Sequence, residues 1–578
     1  MAYLKRKRIH GQTYWYLVES RRVGGQVKTA HLQYLGKAEE IVRAVQQAQA
    51  PRDRLKSFQH GGVAALLSLA DRLELVGLID AHAGPPAHGQ PARQLLSVGQ
   101  TLVLAAVGRA LHPTSKAKWA DWAKKTTVGK LWGFDPAKIT SQFFWDQMDR
   151  LPLEALAPVQ AELGRRVLDR FNLAADALFY DVTNFYTFID SRNDRCDLAQ
   201  RGKNKQKRND LRQFQVGMLV SRDGWVPLLA KLYRGNRNDV TTFPRALEAI
   251  GRQCRELGIR PETVTLVADK GNLSANNWQV LDASQIGHVV SLVPSLHGDW
   301  AYRPAGDFTT CEVAEVGPMD LLRGQAMVAR RERTVVVLDS PTLRDGQMRG
   351  LQQQLSRVMF GLTNLRETLA RTKRRRRRQV IERQIERILR DVATVRKILA
   401  WELVEREDHP GFWNFDWWVE PEALAYLRDR VFGRRMLATD RGEWSSGEIV
   451  WAYWGQSEAE LVFRQMKDPH LLALRPQHHW TDQKIEVHSF CCVVGYLLAA
   501  LVRRHARKLG YREGLPKLLE MLTDVRAVLR TEQRAAPGRP RVRWQLEEAE
   551  PRVLRVYQSL TDPAYEIGDK CHQMVSAF

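Results

Sequence analysis

Cysteine is scarce and scattered: Cys196, Cys254, Cys311, Cys491, Cys492 and Cys571 form no Cys-x-x-Cys pair. That excludes a zinc ribbon and gives no disulfide framework, which fits a reducing cytosol. Long hydrophobic runs are missing too. The longest, Phe490 to Val502, is too short to cross a bilayer and reads as a buried core helix. Met1 to Arg8 lacks the apolar stretch of a signal peptide, so a cytoplasmic protein without a membrane partner is expected. Acidic charge is outnumbered, with 88 lysines and arginines against 65 acids, a formal excess of +23. A pI near 9.9 points to a polyanionic partner, and nucleic acid is the usual one. With 578 residues and 44% hydrophobic content, the chain has room for several domains and a sizeable core.

Residues 1–50 read as a small β-meander. Thr13 to Ser20 is rich in aromatic and β-branched residues, Val23-Gly24-Gly25 offers a turn, and Gln26 to Leu35 reads as the return strand. Lys5, Arg6, Lys7 and Arg8 make this a candidate DNA-contacting arm; a basic hairpin packed on the body fits equally. Residues 51–175 are mostly helical by spacing, around Val63 to Ala70 and Leu95 to Leu111, with a break at His112-Pro113. This region is a candidate binder of DNA ends.

From Ala177 the pattern changes. Ala177 to Thr183, Gln213 to Ser221 and Val226 to Tyr233 read as three strands. A helix capped near Asn238-Asp239 follows, then a strand at Thr263 to Asp269, a helix from Ser274, and a strand at His288 to Val293. This is an α/β core that opens with an antiparallel meander and spans 176–295. An insertion at 296–445 interrupts it. The insertion carries a strand at Thr334 to Asp339, an apolar stripe at heptad spacing (Ile381, Ile385, Ile388, Val392, Val395, Leu399) and five consecutive arginines, Arg374 to Arg378. The stripe fits a dimer surface or intramolecular packing. The core resumes at 446–510, and 511–578 is a C-terminal region, a candidate for dimerisation.

Asp181 sits inside an otherwise apolar strand, where an unpartnered carboxylate is costly. It calls for a partner, a hydrogen-bond network or a metal. Asp269 ends another apolar strand. Two carboxylates on neighbouring strands can share divalent cations, and oxygen donors suit Mg²⁺. At about 100° per residue, Tyr453, Gln456, Glu460, Arg464 and Lys467 fall within an arc of roughly 80° on one helix, beside an apolar arc. Taken alone, that stripe is also what an amphipathic helix with a Glu460–Arg464 pair presents.

Tyr453-x2-Gln456-x3-Glu460-x6-Lys467 resembles the Tyr-x2-Arg-x3-Glu-x6-Lys signature of a group of DDE transposases from bacterial insertion sequences. Gln456 stands where that signature has arginine. Tyr180-Asp181-Val-Thr-Asn184, Gly235 to Asp239, Ala268 to Gly271, Arg475 to His479 and Ile485 to His488 also resemble segments of this group. The resemblance spans roughly residues 100–505. It implies an RNase H-like catalytic core interrupted by a long mixed α/β insertion. It further implies a triad of Asp181, Asp269 and Glu460 holding two Mg²⁺ (or Mn²⁺) ions, with cleavage at element ends and strand transfer into target DNA. Tyr453, Gln456, Arg464, Lys467 and Lys270 are then the candidate DNA contacts near the cut. Lys203, Lys205, Lys207 and Arg208, between the first two strands, are candidates for tracking the backbone. Trp413, Trp417 and Trp418 are candidates for stacking a flipped base. The implied partners are double-stranded DNA of element ends and target, and a second copy of the chain on DNA, in a bacterial, nucleoid-associated setting. A non-catalytic DNA-binding protein on the same scaffold, or a nuclease without strand transfer, are the competing readings.

Overall fold

The computed structural model describes residues 2–23, 26–49, 54–85, 95–174, 177–190, 192–202, 208–237, 239–256, 258–268, 274–314, 316–532 and 541–567. It divides into two compact units. One comprises Met1–Ala64, Ala123–Gly133 and Glu520–Phe578; the other comprises Ala65–Trp122 and Phe134–Leu519.

The larger unit is mixed α/β, built on a nine-stranded mixed sheet. Its strands in chain order are β1 (Ala177–Thr187), β2 (Arg212–Ser221), β3 (Pro227–Arg234), β4 (Thr265–Ala268), β5 (Gly287–Leu292), β6 (Thr309–Val313), β7 (Gly317–Val328), β8 (Arg331–Asp339) and β9 (Arg434–Thr439). In space the order is β6-β7-β8-β9-β5-β4-β1-β2-β3. β1 and β2, and β2 and β3, pair antiparallel, as hairpin-linked neighbours can. β4 runs parallel to both β1 and β5, which requires crossovers. The helices Asp239–Glu256 and Ala275–Ala283 supply them, and the second is capped by the Ser274 hydroxyl accepting from Asn277 N–H. β2, β4 and β5 are buried along almost their whole length, as continuous apolar runs demand.

The insertion does not leave this sheet. β9 pairs antiparallel with β5 on one side and β8 on the other, so β6 to β9 extend the first five strands by four. Buried arginines brace β8 and β9, Arg434 between these two strands and Arg333 from β8 to the core helix Ala275–Ala283. Arg434, 3% exposed, lies 3.2 Å from Asp339, and Arg333 donates to Asp282 at 2.7 and 2.9 Å.

Beyond β8, the long helix Pro341–Arg371 packs with the helix Arg378–Ile388 and the hairpin Leu399–Glu405/Trp413–Val419 around a separate apolar cluster. Here the structure corrects the heptad reading. The stripe from Ile381 to Leu399 is not one helix. Asp391 takes a left-handed φ of 64°, a short helix occupies Ala393–Arg396, and Leu399 already begins a strand. Ile381, Ile385, Val395 and Leu399 all reach the same cluster as Leu362, Trp413 and Phe415. Burying these side chains against several elements outweighs prolonging one helix. Of the arginine run, Arg374 to Arg377 link the two helices and Arg378 opens the second.

Asp482–Lys508 is long and apolar enough to cross a membrane by composition, but 94% of its most apolar window is buried inside the protein, against Val98–Leu111 among others.

The smaller unit carries two three-stranded antiparallel sheets. Ala2–Ile9, Gln12–Val23 and Gln26–Gly36 form the N-terminal meander; its turn residues Gly24 and Gly25 lie outside the described residues. In the other, Arg526–Glu532 is the central strand between Arg54–Gln59 and Arg541–Leu546. His60 ties this unit together: its Nδ1 lies 2.9 Å from Thr127 Oγ1 and its Nε2 2.9 Å from Tyr557 Oη. Burial pulls this imidazole down to about 4. Between that value and an unfolded value of about 6.5, the unfolded chain binds the extra proton. His60 thus leaves stability intact above pH ~6.5 and erodes it as pH falls toward the folded value, by about 3 kcal/mol in the limit. Urea midpoints measured at pH 7 and pH 4.5 should show this slope, and His60→Gln should flatten it.

Candidate functional site

The site is built on β1 and one helix. The apolar run through Ala177 to Tyr180 makes β1 a central strand, and side chains on it alternate between faces. Tyr180 points to one face, with its hydroxyl donating to Tyr233 Oη at 3.3 Å. Phe179, Asp181, Thr183 and Phe185 share the other face, against which the helix Ser446–Lys467 packs. That helix starts cleanly: the Ser445 hydroxyl accepts from Glu448 N–H at 3.2 Å, while Glu448 accepts from Ser445 N–H at 2.7 Å.

Two contacts fix the helix along β1. Gly455 lies on the Phe179 ring, so closely that a Cβ there would overlap it. At the other end, Lys467 Nζ donates to Thr183 Oγ1 and sits 5.2 Å from the centre of the Phe185 ring. The helix therefore climbs in the direction of β1. Glu460 is five residues beyond Gly455, a rise of about 7.5 Å. Asp181 is two residues beyond Phe179, about 6.7 Å. By these rises alone the backbone positions of residues 181 and 460 fall at similar heights, with Glu460 turned about 140° around the helix from Gly455. Glu460 and Lys467, seven residues apart, also share one line of the helix surface.

Asp181 is half-buried rather than buried, and one of its oxygens accepts Val182 N–H at 2.8 Å. Glu460 and Arg464 are exposed. Tyr453 and Gln456 are each only 7% exposed. The Arg435 guanidinium lies 5.6 Å from the Tyr453 ring centre, and Gln456 Oε1 finds no hydrogen-bond partner among the described residues. Arg208 is ion-paired to Asp210 at 2.8 Å with half its side chain exposed. Asp269, Lys270, Lys203, Lys205 and Lys207 lie outside the described residues. β4 ends at Ala268, the residue before Asp269, and its last pair with β1 is Phe179 with Val267. Among the described residues, no three histidine, cysteine or acidic side chains cluster as metal ligands. Of the tryptophan candidates, Trp413 is buried and donates to Arg376 O at 2.8 Å, Trp417 is half-buried, and Trp418 is 47% exposed.

A supporting network escaped the sequence. After the helix the chain returns to the end of β1, where Phe188 N–H donates to Gln477 O at 2.8 Å. His479 Nδ1 meets Gln477 Oε1, and Lys116 Nζ donates to His479 Nε2 at 2.8 Å. Burial, reinforced by Arg109, holds the Lys116 amine down at about 8, and burial with nearby cations keeps His479 well below its ordinary value. The Arg475 to His479 segment was visible as a resemblance, but nothing local marked Lys116.

No family model and no curated protein matches the chain. Among solved structures, the piggyBac transposase in a synaptic complex with hairpin DNA is similar over 79% of each chain, at 9% identity and a TM-score of 0.35. At that level the residues themselves must carry the function.

The close approach of Gly455 makes a sharp test of this geometry. Gly455→Val should cost about 1–3 kcal/mol of stability through overpacking, and part of that loss should vanish in the Gly455→Val/Phe179→Ala double variant. Denaturant midpoints of the four proteins decide it; a Gly455→Val protein as stable as the parent would contradict the packing.

Proposed function

We propose that this chain is a DNA transposase of the DDE type, cutting at element ends and joining the freed 3′ end to target DNA. What supports the reading is the helix that bears Glu460 laid along the strand that bears Asp181, with Gly455 against Phe179 and Lys467 held to Thr183. The order β3-β2-β1-β4-β5, with β2 antiparallel to both its neighbours and β4 and β5 parallel to β1, supports an RNase H-like core. Asp269, directly after β4, completes the proposed triad.

The donor set is all carboxylate oxygen, which fits Mg²⁺ or Mn²⁺. Two such ions held by Asp181, Asp269 and Glu460 would stabilise the attacking and leaving oxygens of an in-line displacement. The chain's own cations do the rest. Lys467, pinned at β1, and the exposed Arg464 hold the phosphate beside the carboxylates, with Lys270 as a further candidate. Tyr453 and Gln456, buried beneath them, set the helix rather than touch DNA in this conformation. Lys203, Lys205, Lys207 and Arg208 track the backbone leading in. Water opens the phosphodiester at the element end, and the freed 3′-hydroxyl then attacks a target phosphodiester, expelling a 3′-oxygen. No protein nucleophile is required. Synapsis of two ends calls for at least two copies on DNA, in a bacterial cytoplasm.

The test uses a supercoiled plasmid carrying the flanking ends, with Mg²⁺. The parent protein should cut at the ends. Asp181→Ala, Asp269→Ala and Glu460→Ala should each drop to background while still binding ends. Binding without cleavage by the parent would favour a non-catalytic DNA-binding protein; cleavage that survives Glu460→Ala would remove that residue from the triad.

A further inference from the structure

The N-terminal half of the Glu460 helix lines a second feature, an open cleft of about 700 Å³. Three tryptophans line it from two segments. Trp451 and Trp454 come from the helix, and Trp225 from the turn after β2. All three are half-exposed. Trp225 is held in a left-handed conformation, φ 57°, directly after Gly224 at φ 81°, and its ring leans on Phe179 at 5.2 Å between centroids. The backbone at this turn is strained in a way that presents an indole to the cleft, since non-glycine residues rarely adopt that region.

Cations surround these rings. Arg222 lies 4.0 Å from the Trp451 ring centre, in cation–π contact. The one carboxylate in the lining, Asp223, is already neutralised by Arg504 at 2.6 and 2.8 Å. Arg507, Lys508 and Arg512 also line the cleft, are exposed, and make no ion pair among the described residues. The end of the Asp482–Lys508 helix favours a cation through its free carbonyls. That accounts for one or two of the charges, but not for three indoles in the same cleft.

We infer that this cleft binds unpaired nucleotides of a DNA strand, with bases stacked on Trp451, Trp454 and Trp225 and phosphates held by Arg507, Lys508 and Arg512. Aromatic faces combined with a positive groove are the chemistry of single-stranded nucleic acid binding, because every base offers a face to stack and every nucleotide a charge. The choice of DNA over RNA rests on the proposed function. Trp454 is six residues before Glu460, about 9 Å along the same helix and on a different side of it. A strand seated in the cleft thus lies close to the proposed cutting site without occupying it, suited to hold the strand separated from its complement at the element end.

The experiment is ultraviolet cross-linking of the full chain to a short single-stranded oligodeoxynucleotide carrying 5-iodouracil, with peptide mapping, alongside anisotropy titrations. Cross-links should map to Trp451, Trp454 or Trp225. Trp454→Ala should weaken single-strand affinity by about five- to tenfold, and Trp454→Phe should restore most of it. Arg507→Gln/Lys508→Gln/Arg512→Gln should lower the salt slope of single-strand binding by about two, at about 0.7 per lost phosphate contact. Duplex-end binding should stay within twofold of the parent in all these variants. Asp181→Ala should cross-link normally, so loss of cleavage chemistry and loss of this site are told apart. Cross-links mapping elsewhere, an unchanged salt slope, or equal competition by thymidine monophosphate would overturn the proposal.

Discussion

The close packing of one helix on one strand is the constraint on which the rest depends. A glycine at position 455 lets the Ser446–Lys467 helix settle onto the Phe179 ring, and Lys467 closes the other end on Thr183. Between those two contacts, ideal rises of helix and strand put the backbone at 460 and at 181 at similar heights. Any larger residue at position 455 would lift the helix off the sheet and carry Glu460 with it. The buried network of Lys116, His479 and Gln477 serves the same end from below. It fixes the returning chain against the last residues of β1, so the strand bearing Asp181 is held along its length.

The same helix spans two surfaces with different chemistry. Toward its C-terminus it offers exposed Glu460 and Arg464, suited to cations and phosphates; toward its N-terminus it offers half-exposed tryptophans. The insertion supports this arrangement instead of hanging from it. Through β9 it re-enters the sheet beside β5; the buried Arg333–Asp282 pair ties it to the core helix Ala275–Ala283, and Arg434–Asp339 joins its own strands β8 and β9. Removing one partner from such a pair strands a charge in the interior, which typically costs about 3–5 kcal/mol. Domain-scale sequence reading treats the insertion as an interruption; physically it widens the platform.

What could be read from the sequence was what is encoded locally. The apolar run around Asp181, the helix start at Ser274, and the polar stripe from Tyr453 to Lys467 each depend on neighbours a few residues away. They located β1, the crossover helices and the proposed glutamate helix. The failures share one cause. Lys116 and His479 are 363 residues apart, and the tryptophan cleft draws on five stretches of chain, so no window of sequence contains either. The stripe from Ile381 to Leu399 misled because helical spacing reports only that side chains are buried together. A cluster fed by two helices and a hairpin satisfies the same spacing as a continuous helix.

The proposed convergence of Asp181 and Glu460 on one bound cation can be measured without reference to DNA. The full chain would be loaded with Fe²⁺ and exposed to ascorbate and peroxide, and the resulting backbone cuts mapped by mass spectrometry. The account predicts cuts beside both position 181 and position 460, suppressed together by excess Mg²⁺ and lost together in Asp181→Ala. Cuts at one position that persist when the other carboxylate is removed would contradict it.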